Sequence, residues 1–153
     1  MAGLMSYPAA LGRLRTLPLD VLRTMKHREL GTGEVAAADQ LLMSLDAAAA
    51  AGRRLNDFVS LSEDSQPLAN AASICRWELL RLRGGILDPE LHGRFRSLRA
   101  EVIRHLEGAA SAAQMMSGGY RFHNLDRICN GGESLDSHLA ALDSIRRKLA
   151  SQV

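Results

Sequence analysis

Residues 35–59 set apolar side chains at three- and four-residue steps: Val35, Ala38, Leu41, Leu42, Leu45, Ala48, Ala49, Gly52, Leu55 and Val59. That spacing holds one face of an α-helix apolar for about seven turns, and a strand cannot repeat it. A lone helix is marginal in water, so such a stripe is stable only when other helices cover it. Inside the stripe, residues 47–51 are all alanine. Alanine is the best helix former, and its small side chain lets a partner helix come close. Gly52 extends this small patch at a cost of roughly 1 kcal/mol relative to alanine. Thr32 is placed to cap the helix, and Ser65-Gln66-Pro67 marks the point before which it should end.

Four further segments read the same way. Pro18 suits the first turn of a helix running to about Leu30, with Val21, Leu22 and Met25 on one face and Gly31 as its stop. A helix from Pro67 or Leu68 to Arg83 has Ile74, Cys75, Trp77, Leu79, Leu80 and Leu82 around most of its circumference. Near all-round apolarity predicts a central helix, with Trp77 in the main core and Gly84-Gly85 as its stop. Asp88-Pro89-Glu90 is the strongest start signal in the chain: a cap, a first-turn proline and an acid at the positive helix end. The helix it opens carries Leu91, Phe95, Leu98, Val102 and Leu106, and ends at Gly108 or continues to Met116. A last helix opens near Ser134 with Leu135, Leu139, Leu142, Ile145 and Leu149. Residues 1–17 contain one proline, Pro8, and scattered leucines, and are expected to be a frayed or docked terminal segment.

The fold class predicted is all-α: a bundle of five or six amphipathic helices in a single domain over residues 1–153. Only 4% of residues are aromatic, so the core must be aliphatic, which again suits helices better than sheets. No apolar run nears the roughly 20 residues that span a bilayer, and no secretory leader is visible. Cys75 and Cys129 match no C-x-x-C spacing and read as reduced thiols. A cytoplasmic, bacterial protein is the expectation.

Residues 118–132, GGYRFHNLDRICNGG, stand apart. Tyr120, Phe122, Leu125 and Ile128 recur at near-helical spacing between two glycine pairs. The spacing predicts a short helix over about 121–130, joined to its neighbours by glycine turns. The alternative is a mobile lid or docking element, with Tyr120 and Phe122 as anchors for a partner.

Arginines cluster between residues 76 and 104, with Arg94, Arg96 and Arg99 the candidate partner contacts. Acidic residues interleave them and the net charge is only +2, so a mixed-charge surface is the plainer reading and nucleic acid the alternative. Gly84-Gly85-Ile86-Leu87 would have to supply the turn of a DNA-reading helix–turn–helix, yet the next helix begins with an acid.

Residues 104–110, RHLEGAA, resemble the H-x-L-K-G-x-A motif of histidine phosphotransfer domains. Leu106 and Gly108 match; Arg104 stands at the phosphoacceptor position and Glu107 at the lysine position. His105 is one residue late, a rotation of about 100° around the helix. The resemblance implies a degenerate phosphorelay domain.

His105, His123, Cys129 and His138 fit no metal-site spacing, and no nucleophile elbow or phosphate loop is present, so neither metal, cofactor nor catalytic residue is expected. The functional expectation is a non-enzymatic, protein-binding adaptor, assembly chaperone or regulator that works through its helical faces, with homo-oligomers possible in principle and nucleic acid a lesser alternative.

Overall fold

The computed structural model describes residues 32–86 and 96–152. The expected segment 1–17, the helix over 18–30, the Asp88-Pro89-Glu90 start and Arg94 lie outside the described residues. Two compact units divide the chain at Ala37 and Ala38; of the first, only the helical residues 32–37 are described.

Four helices make up the described residues: α1 (Thr32–Leu61), α2 (Ser65–Ile86), α3 (Arg96–Arg121) and α4 (Leu125–Gln152). Within the unit Ala38–Gln152 they form an antiparallel bundle. Arg54 of α1 pairs with Glu78 of α2, and Ser73 of α2 with Ser117 of α3. Arg83 of α2 reaches Glu107 of α3, so ten residues forward along α2 from Ser73 correspond to ten residues back along α3 from Ser117. His105 of α3 meets His138 of α4, and Arg146 of α4 pairs with Asp46 of α1. Each helix therefore runs opposite to both of its neighbours, and α4 closes the ring onto α1.

The buried positions explain why four such helices assemble. In α1 a series runs Ala38, Leu41, Leu45, Ala48, Gly52 and Leu55, with Ala51 buried beside it. In α3 a series runs Val102, Leu106, Ala109, Ala113, Met116 and Tyr120, with Ala110, Ala112, Ser117 and Gly119 buried beside it. Both series step alternately by three and four residues, the 3.5-residue repeat of bundles that pack knobs into holes. In α2, Leu68, Ala72, Cys75 and Leu79 keep the same beat. Alanine recurs in three of the helices, and Ala48, Ala69, Ala72, Ala109 and Ala113 are all fully buried. Of the alanine run expected to form a seam in α1, Ala48 and Ala51 are buried with Gly52, while Ala47, Ala49 and Ala50 are half-buried; α2 and α3 bury alanines as well.

Several boundaries differ from those predicted. Gly84-Gly85 does not stop α2, which runs on to Ile86. Gly108 does not stop α3, and neither does Gly118-Gly119; that helix ends at Arg121. Gly131-Gly132 lies inside α4. The short helix expected over 121–130 is thus divided between the end of α3, a turn and the start of α4. The reason is packing. A Cβ on Gly119 would stand 2.9 Å from the backbone N of Ile128 and 3.0 Å from the carbonyl O of Asn124. A Cβ on Gly131 would stand 2.9 Å from the carbonyl O of Ala112. These glycines let α3 and α4 touch backbone to backbone, so their absent side chains matter more than their freedom to bend.

The turn itself is made by residues that are not glycine. Asn124 N donates to Gly119 O at 2.8 Å, a six-to-one closure, and His123 takes a left-handed φ of 54°. This is a Schellman ending with histidine where glycine is usual. Asn124 then caps α4, its Oδ1 accepting from Arg127 N at 3.2 Å.

Candidate functional site

A bundle with so small-sided an interior leaves its large side chains elsewhere. Trp77, expected in the main core, is 64% exposed, and Ile74 is 59% exposed. The repeat explains the correction. On α2 the core-facing positions are Leu68, Ala72, Cys75 and Leu79, and residues 74 and 77 fall outside that series. The apolar run around α2 is therefore two faces, one turned to the core and one to solvent.

The solvent face joins a groove between α1 and α2. Its floor and walls are Ala51, Leu55, Phe58, Pro67, Ala71, Ile74 and Cys75, enclosing about 350 Å³, with Arg54 and Glu78 at one end. A second depression, about 690 Å³, shares Ile74 and Glu78 with it and continues over Trp77, Leu80, Arg81 and Arg83. Along α2 the combined surface runs from Pro67 to Arg81, about 21 Å of helix at 1.5 Å per residue. Phe58 contributes from α1 and is 39% exposed.

The rim of the Trp77 end is basic. The Arg76 guanidinium lies 5.2 Å from the Trp77 ring centroid, a cation–π arrangement. Arg54 is bound to Glu78 at 2.9 Å and Arg83 to Glu107 at 2.9 Å. Arg81 is exposed. Beneath this face, Cys75 is buried, and burial followed by the nearby Glu78 carboxylate pushes its thiol up to about 11, with Arg54 acting in the opposite direction. It is therefore an inert core thiol at neutral pH.

The residues singled out from sequence are not brought together. Phe122 is 77% exposed, at the turn between α3 and α4, but Tyr120 is buried against the bundle. Burial, then the neighbouring Cys129, raises the Tyr120 phenol above its ordinary range. Tyr120 therefore belongs to the core, and the pair cannot present two aromatic anchors. Arg96 is exposed at the start of α3, whereas Arg99 is half-buried and its Nε donates to Ile86 O at 3.0 Å. Arg99 thus caps the end of α2, holding a carbonyl that the helix leaves without a partner. Because Gly84, Gly85 and Ile86 are helical, they do not form the tight turn of a DNA-reading motif.

In the phosphotransfer-like stretch, Arg104 is exposed and lies 3.9 Å from Glu101, while Glu107 holds Arg83. His105 turns into the α3/α4 seam, where its Nδ1 lies 3.0 Å from Nδ1 of His138. The exposed position of the motif is therefore filled by arginine, which accepts no phosphoryl group. His123 sits in the turn and Cys129 is exposed on α4, neither of them with the His105–His138 pair. Among the described residues no three histidine, cysteine or acidic side chains converge on one point, and no helix is long and apolar enough to cross a membrane.

Phe58, Ile74 and Trp77 were missed as surface residues. Spacing alone left two apolar sectors on α2, and the burial of Leu68, Ala72, Cys75 and Leu79 shows which one faces the core.

No family model, curated protein or solved structure matches this chain.

Proposed function

We propose that this chain is a protein-binding adaptor, chaperone or regulator whose binding surface is the α1/α2 face centred on Ile74 and Trp77. The observation that carries this reading is the exposure of the only tryptophan beside Phe58 and Ile74, in a bundle whose interior is largely alanine and leucine. Tryptophan is the residue most enriched at the energetic centres of protein interfaces. A face about 21 Å long, apolar along its middle, matches an amphipathic helix of about four turns laid into a groove. Arg54 and Arg83 at the Trp77 end are paired with Glu78 and Glu107, and Arg76 and Arg81 add positive charge beside them. Charge complementarity therefore selects a partner helix with acidic residues beside its apolar stripe.

The chain supplies its own reporter, since Trp77 is its single tryptophan. A synthetic amphipathic helix of 16 residues with acidic flanks, an arbitrary but sufficient length of about 24 Å, should shift Trp77 emission to the blue on binding. Its counterpart with basic flanks should not. Ile74→Glu should abolish the shift while leaving the helical circular dichroism intact, because Ile74 packs in no core. Binding of the two peptides with equal affinity, or undiminished binding to Ile74→Glu, would remove the basis of the proposal. Concentration-dependent dimerisation through the same face would replace the foreign partner by a second copy.

A further inference from the structure

The core series of α4 runs Gly131, Leu135, His138, Leu142, Ile145 and Leu149, stepping by four and three. Five of these positions hold a buried glycine or aliphatic residue, and the sixth, half-buried, is a histidine. Gly108 of α3 makes room for it, because a Cβ there would collide with Cε1 and Nε2 of the His138 ring. His105, also half-buried, meets it from α3. The two Nδ1 atoms are 3.0 Å apart and the ring centroids 5.3 Å. The centroid separation is the Nδ1–Nδ1 distance plus one ring radius at each end. The two nitrogens therefore face each other head-on along a single N–H···N hydrogen bond.

Such a bond is sensitive to how many protons the pair holds. In the neutral pair one ring donates through Nδ1–H and the other accepts through its Nδ1 lone pair. A first added proton enters at the free Nε2 of the donating ring. That ring becomes an imidazolium, and the charge-assisted bond it then makes is stronger than the neutral one. A second added proton finds one lone pair left, on the accepting Nδ1. Once it is there, both facing nitrogens carry hydrogen and both rings carry positive charge. The bond is lost, and repulsion across 3.0 Å takes its place.

We propose that the His105–His138 bond is an acid-released latch: it ties α3 to α4 while the pair holds one added proton or none, and a second proton frees α4 from α3 at this level of the bundle. The surroundings place that second step in acid. Burial, then Arg104, then His138, hold the His105 imidazole below its ordinary value, with Glu101 acting in the opposite direction. A histidine lowered in this way contributes its stability in full above the ordinary value, and the contribution is lost as pH falls through the folded one. Arg104 and Glu101 are exposed and lie on α3 itself, and Glu107 of the same helix is turned to Arg83 of α2. From α4 the facing group is His138, and among the described residues no charged group of α1 or α2 acts on His105. His138 in turn faces His105 and Gly108, while α1 meets α4 at the next residue through Gly52 against Leu139. An ion pair between α1 and α4, Asp46 with Arg146, lies about two turns beyond His138. The latch is independent of the α1/α2 face, which lies on other helices.

The test follows backbone hydrogen exchange in the full chain at about pH 7.5 and about pH 5, an interval in which histidine is the side chain that titrates. Rates are corrected for intrinsic exchange at each pH. Amides 134–145 of α4 should lose at least about tenfold in protection on acidification. In the double variant His105→Gln with His138→Gln, which takes up no proton at either position, that loss should be absent. Should the double variant fail to fold, His105→Gln alone, at a half-exposed position, should lack the loss as well. A triple variant, His27→Gln with His92→Gln and His123→Gln, should keep it. Nitrogen resonances of the two imidazoles should titrate in two steps, the second below the ordinary imidazole value. A pair that serves only to set helix register would give no acid loss in the parent. That result, equal loss in the parent and His105→Gln, disappearance of the loss in the triple variant, or two rings titrating together at the ordinary value would overturn the proposal.

Discussion

The α3/α4 seam and the α1/α2 face distribute side-chain size in opposite ways. Along the seam Ala109, Ala112, Ala113, Gly119 and Gly131 bring two backbones into contact. On the face Phe58, Ile74 and Trp77 project into solvent. The usual economy of a small protein puts its largest apolar groups inside, where each contributes most. Here close helix approach does that work with dispersion contacts between small residues, and Phe58, Ile74 and Trp77 stay at the surface. The exposed patch is what the proposed binding function rests on, since contiguous exposed apolar surface is a mark of interaction sites.

The largest effect should come from the core that both regions share. Leu106 is 1% exposed on α3, and Leu106→Ala should cost about 2–5 kcal/mol in a denaturant titration. A loss below about 1 kcal/mol would mean that the aliphatic layers contribute little and that the small-residue seam alone holds the bundle.

Next in size is an alkaline effect at the floor of the face. The folded pKa of Cys75, about 11, lies above the ordinary thiol value of 9.0. A raised thiol pKa favours the folded state in full below pH 9 and loses that contribution as pH rises through 11. The loss should be on the order of 2 kcal/mol. Cys75→Ala should flatten this part of the pH profile, measured against the parent between pH 8 and 11. An unchanged profile would show that water reaches the thiol through the groove.

The glycine pair in α4 gives a sharper contrast, since adjacent residues should respond with opposite sign. Gly131→Ala places a methyl 2.9 Å from the Ala112 carbonyl and should cost about 1–3 kcal/mol despite the better helix propensity. Gly132 has nothing within 4 Å of its Cβ position, so Gly132→Ala should stabilise by up to about 1 kcal/mol. Equal melting temperatures for the two variants would dissolve the seam.

The smallest effect belongs to the exposed face. Trp77→Ala should change stability by less than about 1 kcal/mol, against the 3–5 kcal/mol that a core tryptophan would cost. A large loss would return Trp77 to the core and leave the binding face without its centre.

Much of the bundle is legible in the chain. The 35–59 stripe predicts α1, and the Leu135–Leu149 spacing predicts the body of α4. The boundaries were less so, because glycine carries two meanings. Next to a turn it frees the backbone; facing another helix it removes a side chain. At Gly119 and Gly131 the second meaning holds, and only the neighbouring helix reveals it. The real turn was marked by Asn124, a cap residue three positions before Arg127, whose backbone N it binds.

The candidate sites follow the same division. Period alone determined that the chain makes amphipathic helices, because a 3.6-residue helix turns every third or fourth side chain to one side. Period could not tell which of two apolar sectors of α2 faces inward, because hydrophobicity has no direction until a second helix takes one side. Nor could it bring His105 and His138 together across 33 residues, or place Gly108 beside the imidazole it admits. Those depend on the register between α3 and α4, a relation between two helices that neither helix carries in its own spacing.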